Sequence, residues 1–67
     1  MFYRVYPLGL AGHFQPPIEL ECASDEAAVA ALASVHPPLR HGCELWQLKR
    51  FIGRYRPGPD GRFEREG

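Results

Sequence analysis

Five residues of this 67-residue chain carry side chains that often bind metals or act as nucleophiles: Cys22, Cys43, His13, His36 and His41. Structural zinc sites usually combine two pairs of ligands, each pair spaced by two to four residues. Only His41 and Cys43 come close to that spacing, and no second pair matches them. The sequence therefore predicts no metal and no cofactor, with both cysteines acting as small apolar residues.

A cysteine nucleophile activated by histidine is the second chemistry that these residues could support. Such a site needs a third group to orient the base, and donors for the charge that develops. The sequence has no glycine-rich turn of that kind, no P-loop, no dinucleotide motif and no paired carboxylates. We therefore predict no catalytic residues and a protein that is not an enzyme. Two free thiols are the favoured state, with a Cys22–Cys43 disulfide as the alternative.

The segment from Cys43 to Arg56 is the most informative part of the sequence. It predicts two strands joined by a two-residue loop, at Leu48-Lys49 or at Lys49-Arg50, with apolar side chains on both faces. Regular alternation divides the side chains of this hairpin between two faces. One face would hold Glu44, Trp46, Leu48, Phe51, Gly53 and Tyr55, and the other Cys43, Leu45, Gln47, Arg50, Ile52, Arg54 and Arg56.

Apolar side chains on both faces of a hairpin predict a binding surface, because one short helix can cover only one face of a sheet. The partner would be a second copy of this chain, giving a homodimer, or another protein, and its anchors would be Trp46, Leu48, Phe51 and Tyr55. Nucleic acid is the alternative partner, bound through Lys49, Arg50, Arg54 and Arg56. The alternation weakens that alternative, since it separates most of these cations from the aromatic residues.

The remaining sequence predicts the elements that position the hairpin. Aromatic and branched residues indicate a strand over residues 2–8, and the alternation over residues 18–22 indicates a second strand with one solvated face. Ser24 or Asp25 can cap a helix that runs to Val35. Together these elements predict an α+β fold of order ββαββ, with one mainly antiparallel four-stranded sheet packed by a single helix.

Length and charge limit the organisation of the chain. Residues 1–56 are predicted to form a single α+β domain, and residues 57–67, rich in proline, glycine and charge, a disordered tail. Eight basic and eight acidic residues balance, so the strong positive charge of many nucleic-acid-binding domains is absent. Without a visible signal peptide or membrane span, the sequence predicts a cytoplasmic protein that does not enter a membrane.

The order of these segments resembles a group of short uncharacterised bacterial proteins of unknown function. The resemblance covers residues 3–56, and it depends on a glycine turn followed by the segments Ile18-Glu19-Leu20-Glu21-Cys22, Ser24-Asp25-Glu26-Ala27-Ala28 and Glu44-Leu45-Trp46-Gln47. It implies a bacterial cytoplasmic protein with a strand-strand-helix-strand-strand arrangement, and it transfers no catalytic residue to this chain.

Overall fold

A computed structural model describes residues 1–9, 16–35 and 38–66 of the chain. The strands are β1 (Phe2–Pro7), β2 (Ile18–Glu21), β3 (Cys43–Gln47), β4 (Arg50–Pro57) and β5 (Phe63–Arg65). The helix α1 (Asp25–Ala31) lies between β2 and β3 in the sequence and continues into a 3-10 turn at Leu32–Ser34. The strands form one antiparallel sheet in the spatial order β2-β1-β3-β4-β5. The predicted α+β class is confirmed.

Strands β1 and β2 show the alternation that the sequence predicts. Tyr3 and Val5 of β1 are fully buried, whereas Phe2 and Arg4, which alternate with them, are exposed. In β2, Glu19 and Glu21 are exposed and the intervening apolar residues are half-buried. Each strand therefore presents one side to the core and the other away from it.

The helix begins where its capping chemistry predicts. Of the two candidate caps, Ser24 is the one used, since its side-chain oxygen accepts a hydrogen bond of 3.1 Å from the backbone N–H of Ala27. Ala28 and Leu32 are buried, as their helical spacing predicts. The predicted end at Val35 is wrong, because the helical segment stops at Ser34 and Val35, although buried, has an extended backbone. The helical segment thus packs one apolar stripe against the sheet.

The core lies between this helical segment and one side of the sheet, which we call the covered face. Its buried apolar members are Tyr3, Val5, Ala28, Leu32, Val35, Leu39, Cys43, Leu45 and Tyr55. The covered face draws on β1, β3 and β4, which are paired as neighbours in the middle of the sheet. The opposite side of the sheet receives no helix from the described residues.

The sheet has a fifth strand, so the predicted count of four and the ββαββ order are wrong. Strand β5 lies in the segment for which composition predicts disorder. A turn closed by a 2.7 Å hydrogen bond from the Gly58 N–H to the Arg62 carbonyl returns the chain to β4, and Phe63 packs against the core. One apolar anchor and a glycine turn are enough to extend the sheet here.

The facing of strand β4 also differs from the prediction, because the ladder contains a β-bulge. Trp46 pairs with Phe51 but Leu45 pairs with Gly53, so Ile52 is an extra residue in β4. An unpaired residue shifts every later side chain to the other side of the strand. Tyr55 therefore lies on the covered face with Leu45 rather than beside Trp46. The loop itself is at Leu48-Lys49, which is one of the two predicted positions.

A polar clasp joins the helix to the hairpin. The Tyr3 hydroxyl donates to Asp25 Oδ1 at 2.8 Å, and the Arg50 guanidinium donates to both Asp25 oxygens at 3.0 and 3.1 Å. These hydrogen bonds, first from Arg50 and then from Tyr3, lower the pKa of Asp25 below its ordinary value of 3.8. The clasp therefore stabilises the folded state when Asp25 is ionised.

We expect Asp25→Asn to lower the free energy of unfolding at neutral pH and to have little effect in strong acid. The pKa of Asp25 is lower in the folded state than in the unfolded state. The interactions of its carboxylate therefore stabilise the fold fully above the unfolded pKa, and this contribution is lost as the pH falls through the folded pKa. Urea unfolding of both proteins from pH 7 downward would measure this, and the two curves should converge below pH 3.8. A difference that stays constant with pH would contradict the assignment.

Among the described residues, no helix has the length and apolar character needed to cross a membrane.

Candidate functional site

The side of the sheet opposite the helix, which we call the open face, carries most of the large apolar side chains that are exposed in the described part of the chain. Phe2 is 61 % exposed, Phe51 is 48 % exposed, and Leu48 at the tip of the β3–β4 hairpin is 85 % exposed. Strand pairing adds the other members of this face. They are Arg4, Tyr6, Glu19, Glu21, Glu44, Trp46, Arg54, Arg56, Glu64 and Glu66.

The centre of the open face is held in place by contacts around Glu44. The Trp46 indole N–H donates to Glu44 Oε1 at 3.1 Å, and Arg54 donates to Glu44 Oε2 at 2.7 Å. On its other side Trp46 meets the ring of Phe51, with centroids 5.1 Å apart and planes at 59°. Glu44 thus satisfies the polar atom of the indole and leaves its apolar surface in a fixed orientation.

Two open hollows flank the hairpin tip on this face. The first has a volume of about 530 Å³ and is lined by Tyr6, Glu44, Trp46, Leu48 and Lys49. The second, of about 710 Å³, shares Leu48 and Lys49 with the first and is completed by residues of β1 and β2, namely Phe2, Arg4 and Glu19. Leu48 therefore stands between two shallow, mostly apolar depressions.

The structure brings together three of the four predicted partner-binding residues. Trp46, Leu48 and Phe51 belong to the open face, as predicted. Tyr55 does not, because the bulge turns it into the core, where it is 7 % exposed. Sequence reasoning missed Phe2 and Tyr6, whose strand β1 pairs with β3 and so joins the open face. The alternation within β1 shows that Phe2 and Tyr6 share one face of that strand. The sequence gives no signal that β1 pairs with β3, and this pairing is what brings the two rings to the open face.

The predicted basic residues are divided between the two faces. Arg50 lies on the covered face against Asp25, while Arg54 and Arg56 lie on the open face because of the bulge. Hydrogen bonding to Glu44 raises the pKa of Arg54 above its ordinary value. Lys49 is exposed at the hairpin tip.

Known proteins give no independent assignment of this surface. No family model, curated protein or solved structure matches the chain. The open face is therefore interpreted from its geometry and chemistry.

The cysteines and histidines do not assemble into a site within the described residues, where no group of three metal-ligating side chains is found. Cys22 and Cys43 are both free thiols. Cys22 bonds to Met1 through its backbone N–H and Cys43 pairs with Pro7, so the two lie at opposite ends of β1. His13 and His36 lie outside the described residues.

The two thiols should differ widely in reactivity. Burial, with a smaller contribution from Glu44, raises the pKa of the Cys43 thiol to about 12, whereas Cys22 is only half-buried. Because the thiolate is the reactive species, we expect a disulfide reagent at neutral pH to modify Cys22 rapidly and Cys43 only after unfolding. Titration of native and urea-treated protein would count one and then two thiols. Two fast thiols in the native protein would contradict the burial of Cys43.

Proposed function

We propose that this chain is a small non-catalytic module that binds a protein through its open face. The observation that carries the proposal is the gathering of Phe2, Trp46, Leu48 and Phe51 on the one side of the sheet that the helix does not cover. Exposed apolar patches of this kind mark interaction sites on small domains. The free thiols suit a reducing cytoplasm as the compartment.

The anchors of this face are suited to binding because part of their ordering is complete before a partner arrives. Trp46 is fixed by Glu44 on one side and by Phe51 on the other. Burying each large apolar side chain would contribute roughly 1.5–3 kcal/mol, and a side chain that is already ordered loses less entropy on binding. Trp46 and Phe51 are therefore the expected centre of the interface.

Charge favours a protein over nucleic acid as the partner. Four basic groups and five acidic groups share the open face and its hairpin tip, so their sum is −1. The basic groups are Lys49, Arg4, Arg54 and Arg56, and the acidic groups are Glu19, Glu21, Glu44, Glu64 and Glu66. Phosphate backbones are bound by surfaces with an excess of positive charge. Arg54, moreover, is already paired with Glu44 at 2.7 Å.

Nucleic acid remains the second candidate, supported by one specific observation. The bulge places Arg54 and Arg56 on the same face as Trp46 and Phe51, an arrangement of cations and rings found in single-strand-binding sheets. Fluorescence anisotropy with random oligonucleotides over a range of salt would decide. Tight binding that weakens steeply with salt would favour this candidate, whereas no binding at low salt would eliminate it.

Photo-crosslinking tests the proposed function directly. Benzoylphenylalanine at position 2 replaces an exposed ring of the open face, and the same residue at position 30 lies on the exposed side of α1. In extract of the source cells, we expect protein adducts from position 2 and none from position 30.

A second substitution makes the crosslinking experiment specific. Trp46→Lys removes the central ring and supplies a cation for Glu44, and it should abolish the adducts from position 2. Adducts that persist in Trp46→Lys, or that form equally at position 30, would contradict a binding site on the open face. Adducts that ribonuclease or deoxyribonuclease removes would replace the proposal by the nucleic-acid candidate.

A further inference from the structure

Leu48 combines two features that local stability does not explain. Its backbone has φ of +53°, in the left-handed region that a leucine side chain disfavours, and its side chain is 85 % exposed. Asparagine and glycine are the residues that hairpin loops of this kind prefer. A strained and solvated leucine at the tip indicates that its side chain has a role in a contact made by another molecule.

The open face offers the surface that such a leucine would fit. The hollow beside Leu48 is lined by the aromatic rings of Tyr6 and Trp46, and its volume of about 530 Å³ exceeds that of one aliphatic side chain. Anchor and hollow are therefore neighbours on the same face. A two-fold axis between them would place the Leu48 of each molecule in the hollow of the other, which is the reciprocal contact of an isologous dimer.

The overall size of the chain allows one side of it to form an interface of standard size. The chain has extents of 29 × 25 × 24 Å and a surface of 4736 Å², and one side of a body with such nearly equal extents is roughly a sixth of that area. This fraction is close to the roughly 800 Å² per partner of a standard specific interface. Face-to-face packing of two sheets would also remove the exposed rings of both copies from water.

The near balance of charge also supports a second copy as the partner. With four basic and five acidic groups on the open face and its tip, each copy has a net charge of −1 there, so two copies meet with little net repulsion. A surface with a large excess of one sign would repel its own copy and attract a partner of the other sign. In addition, a domain of 67 residues buries a smaller fraction of its surface on folding than a larger domain does, and self-association is one of the usual ways to compensate.

We propose that the partner of the open face is a second copy of this chain, and that Leu48 of each protomer occupies the partner's hollow beside Tyr6 and Trp46. This inference rests on the proposed function, because it names the occupant of the same surface. It is narrower than that function, since a binding face for a different protein would leave the chain monomeric in isolation.

The variant Leu48→Asn separates association from folding. Asparagine tolerates the left-handed backbone at this position, so the monomer should resist urea as well as the wild type or better. Losing two buried leucines per dimer should raise the dimer dissociation constant by at least roughly 100-fold. Arg62→Asn is the matched control, because Arg62 lies in the exposed turn before β5 and away from both hollows.

Sedimentation velocity from micromolar to millimolar concentration would measure association in all three proteins. We expect the wild type and Arg62→Asn to reach twice the chain mass of 7.6 kDa and Leu48→Asn to remain monomeric over most of the range. A wild type that stays monomeric at millimolar concentration would overturn the inference. A dimer of unchanged strength in Leu48→Asn would overturn the role of Leu48 and with it this geometry.

Isotope-filtered NMR on the wild type gives a readout that needs no variant. In a mixture of labelled and unlabelled chains, the Leu48 methyl groups of one copy should show contacts to the Tyr6 and Trp46 rings of the other. A dimer that lacks these contacts would overturn the geometry. Position-2 adducts to a different protein, together with a monomeric wild type, would eliminate the second copy while leaving the proposed function intact.

Discussion

Replacing Gly42 by alanine is expected to lower the free energy of unfolding by roughly 2–5 kcal/mol, because a backbone penalty and a steric clash act together. Gly42 has φ of +92°, a conformation that costs other residues free energy, and an added Cβ would lie 2.7 Å from the Tyr55 carbonyl oxygen. The clash is with backbone of strand β4, so no side-chain rotation can relieve it. Gly42 also accepts a hydrogen bond from the Leu8 N–H, which ties this turn to the end of β1.

The chain provides a matched control for this substitution. Gly61 has a similar φ of +85°, but nothing lies within 4 Å of the position that its Cβ would occupy. Gly61→Ala should therefore show only the backbone penalty, roughly 1–2 kcal/mol. Urea unfolding of both variants would measure the difference. Equal destabilisation by the two substitutions would mean that close packing of the Gly42 turn against β4 contributes nothing.

Local features of the fold could be predicted because their causes are local. The Ser24 cap, the buried stripe of Ala28 and Leu32, and the alternation of β2 each depend on residues a few positions apart. The two-residue loop at Leu48-Lys49 was one of two choices for the same reason. These signals are enough to give the α+β class and the approximate positions of four strands.

The composition of the open face could be predicted only in part. Trp46 and Phe51 meet because they flank a short loop, which sequence spacing shows. Phe2 and Tyr6 reach the same face because β1 pairs with β3, more than thirty residues later in the chain. Non-local strand pairing leaves no mark in a local pattern, so the sequence alone could not place these two rings in the site.

Strand β5 illustrates how composition can mislead. Residues 57–66 contain mainly proline, glycine and charged residues, a composition typical of disorder. Here the segment needs no core of its own, because it adds to an existing edge of β4 and uses Phe63 as its one apolar anchor. Its hydrogen bonds shorten the exposed edge of the sheet, and within residues 1–9, 16–35 and 38–66 the open face is then the principal apolar surface available for a partner.

The bulge at Ile52 is the feature on which the identity of the site depends. Without it, Tyr55 would lie beside Trp46 and Arg54 would lie on the covered face, as regular alternation predicts. With it, Tyr55 contributes to the core and Arg54 reaches Glu44. One extra residue in β4 thus exchanges an aromatic anchor of the predicted site for two cations, Arg54 and Arg56, which offset most of the acidic charge of the open face.

Inserting one alanine between Leu45 and Trp46 is expected to abolish cooperative folding. The inserted residue would pair with Ile52, and this pairing would remove the bulge. In a regular ladder Trp46 and Leu45 would then be two positions apart and lie on the same face, so Trp46 could not face the open side while Leu45 faces the core. Turning Leu45 and Tyr55 out of the core would forfeit roughly 3–5 kcal/mol for each, which is comparable with the whole stability of a small domain.

Deleting Ile52 is the matched control, and its expected result is the opposite of what simple alternation implies. With Ile52 absent, Trp46 still pairs with Phe51 and Leu45 with Gly53 in a regular ladder, so every later side chain of β4 keeps its face. Only the half-buried Ile52 side chain is lost, and the variant should fold with Tyr55 buried and Trp46 on the open face. Circular dichroism melting and the accessibility of Tyr55 to iodination would report both outcomes. The opposite pair of results, an unfolded deletion variant and a folded insertion variant, would contradict the bulge. Strand β4 would then alternate regularly, and Tyr55 would lie on the open face beside Trp46.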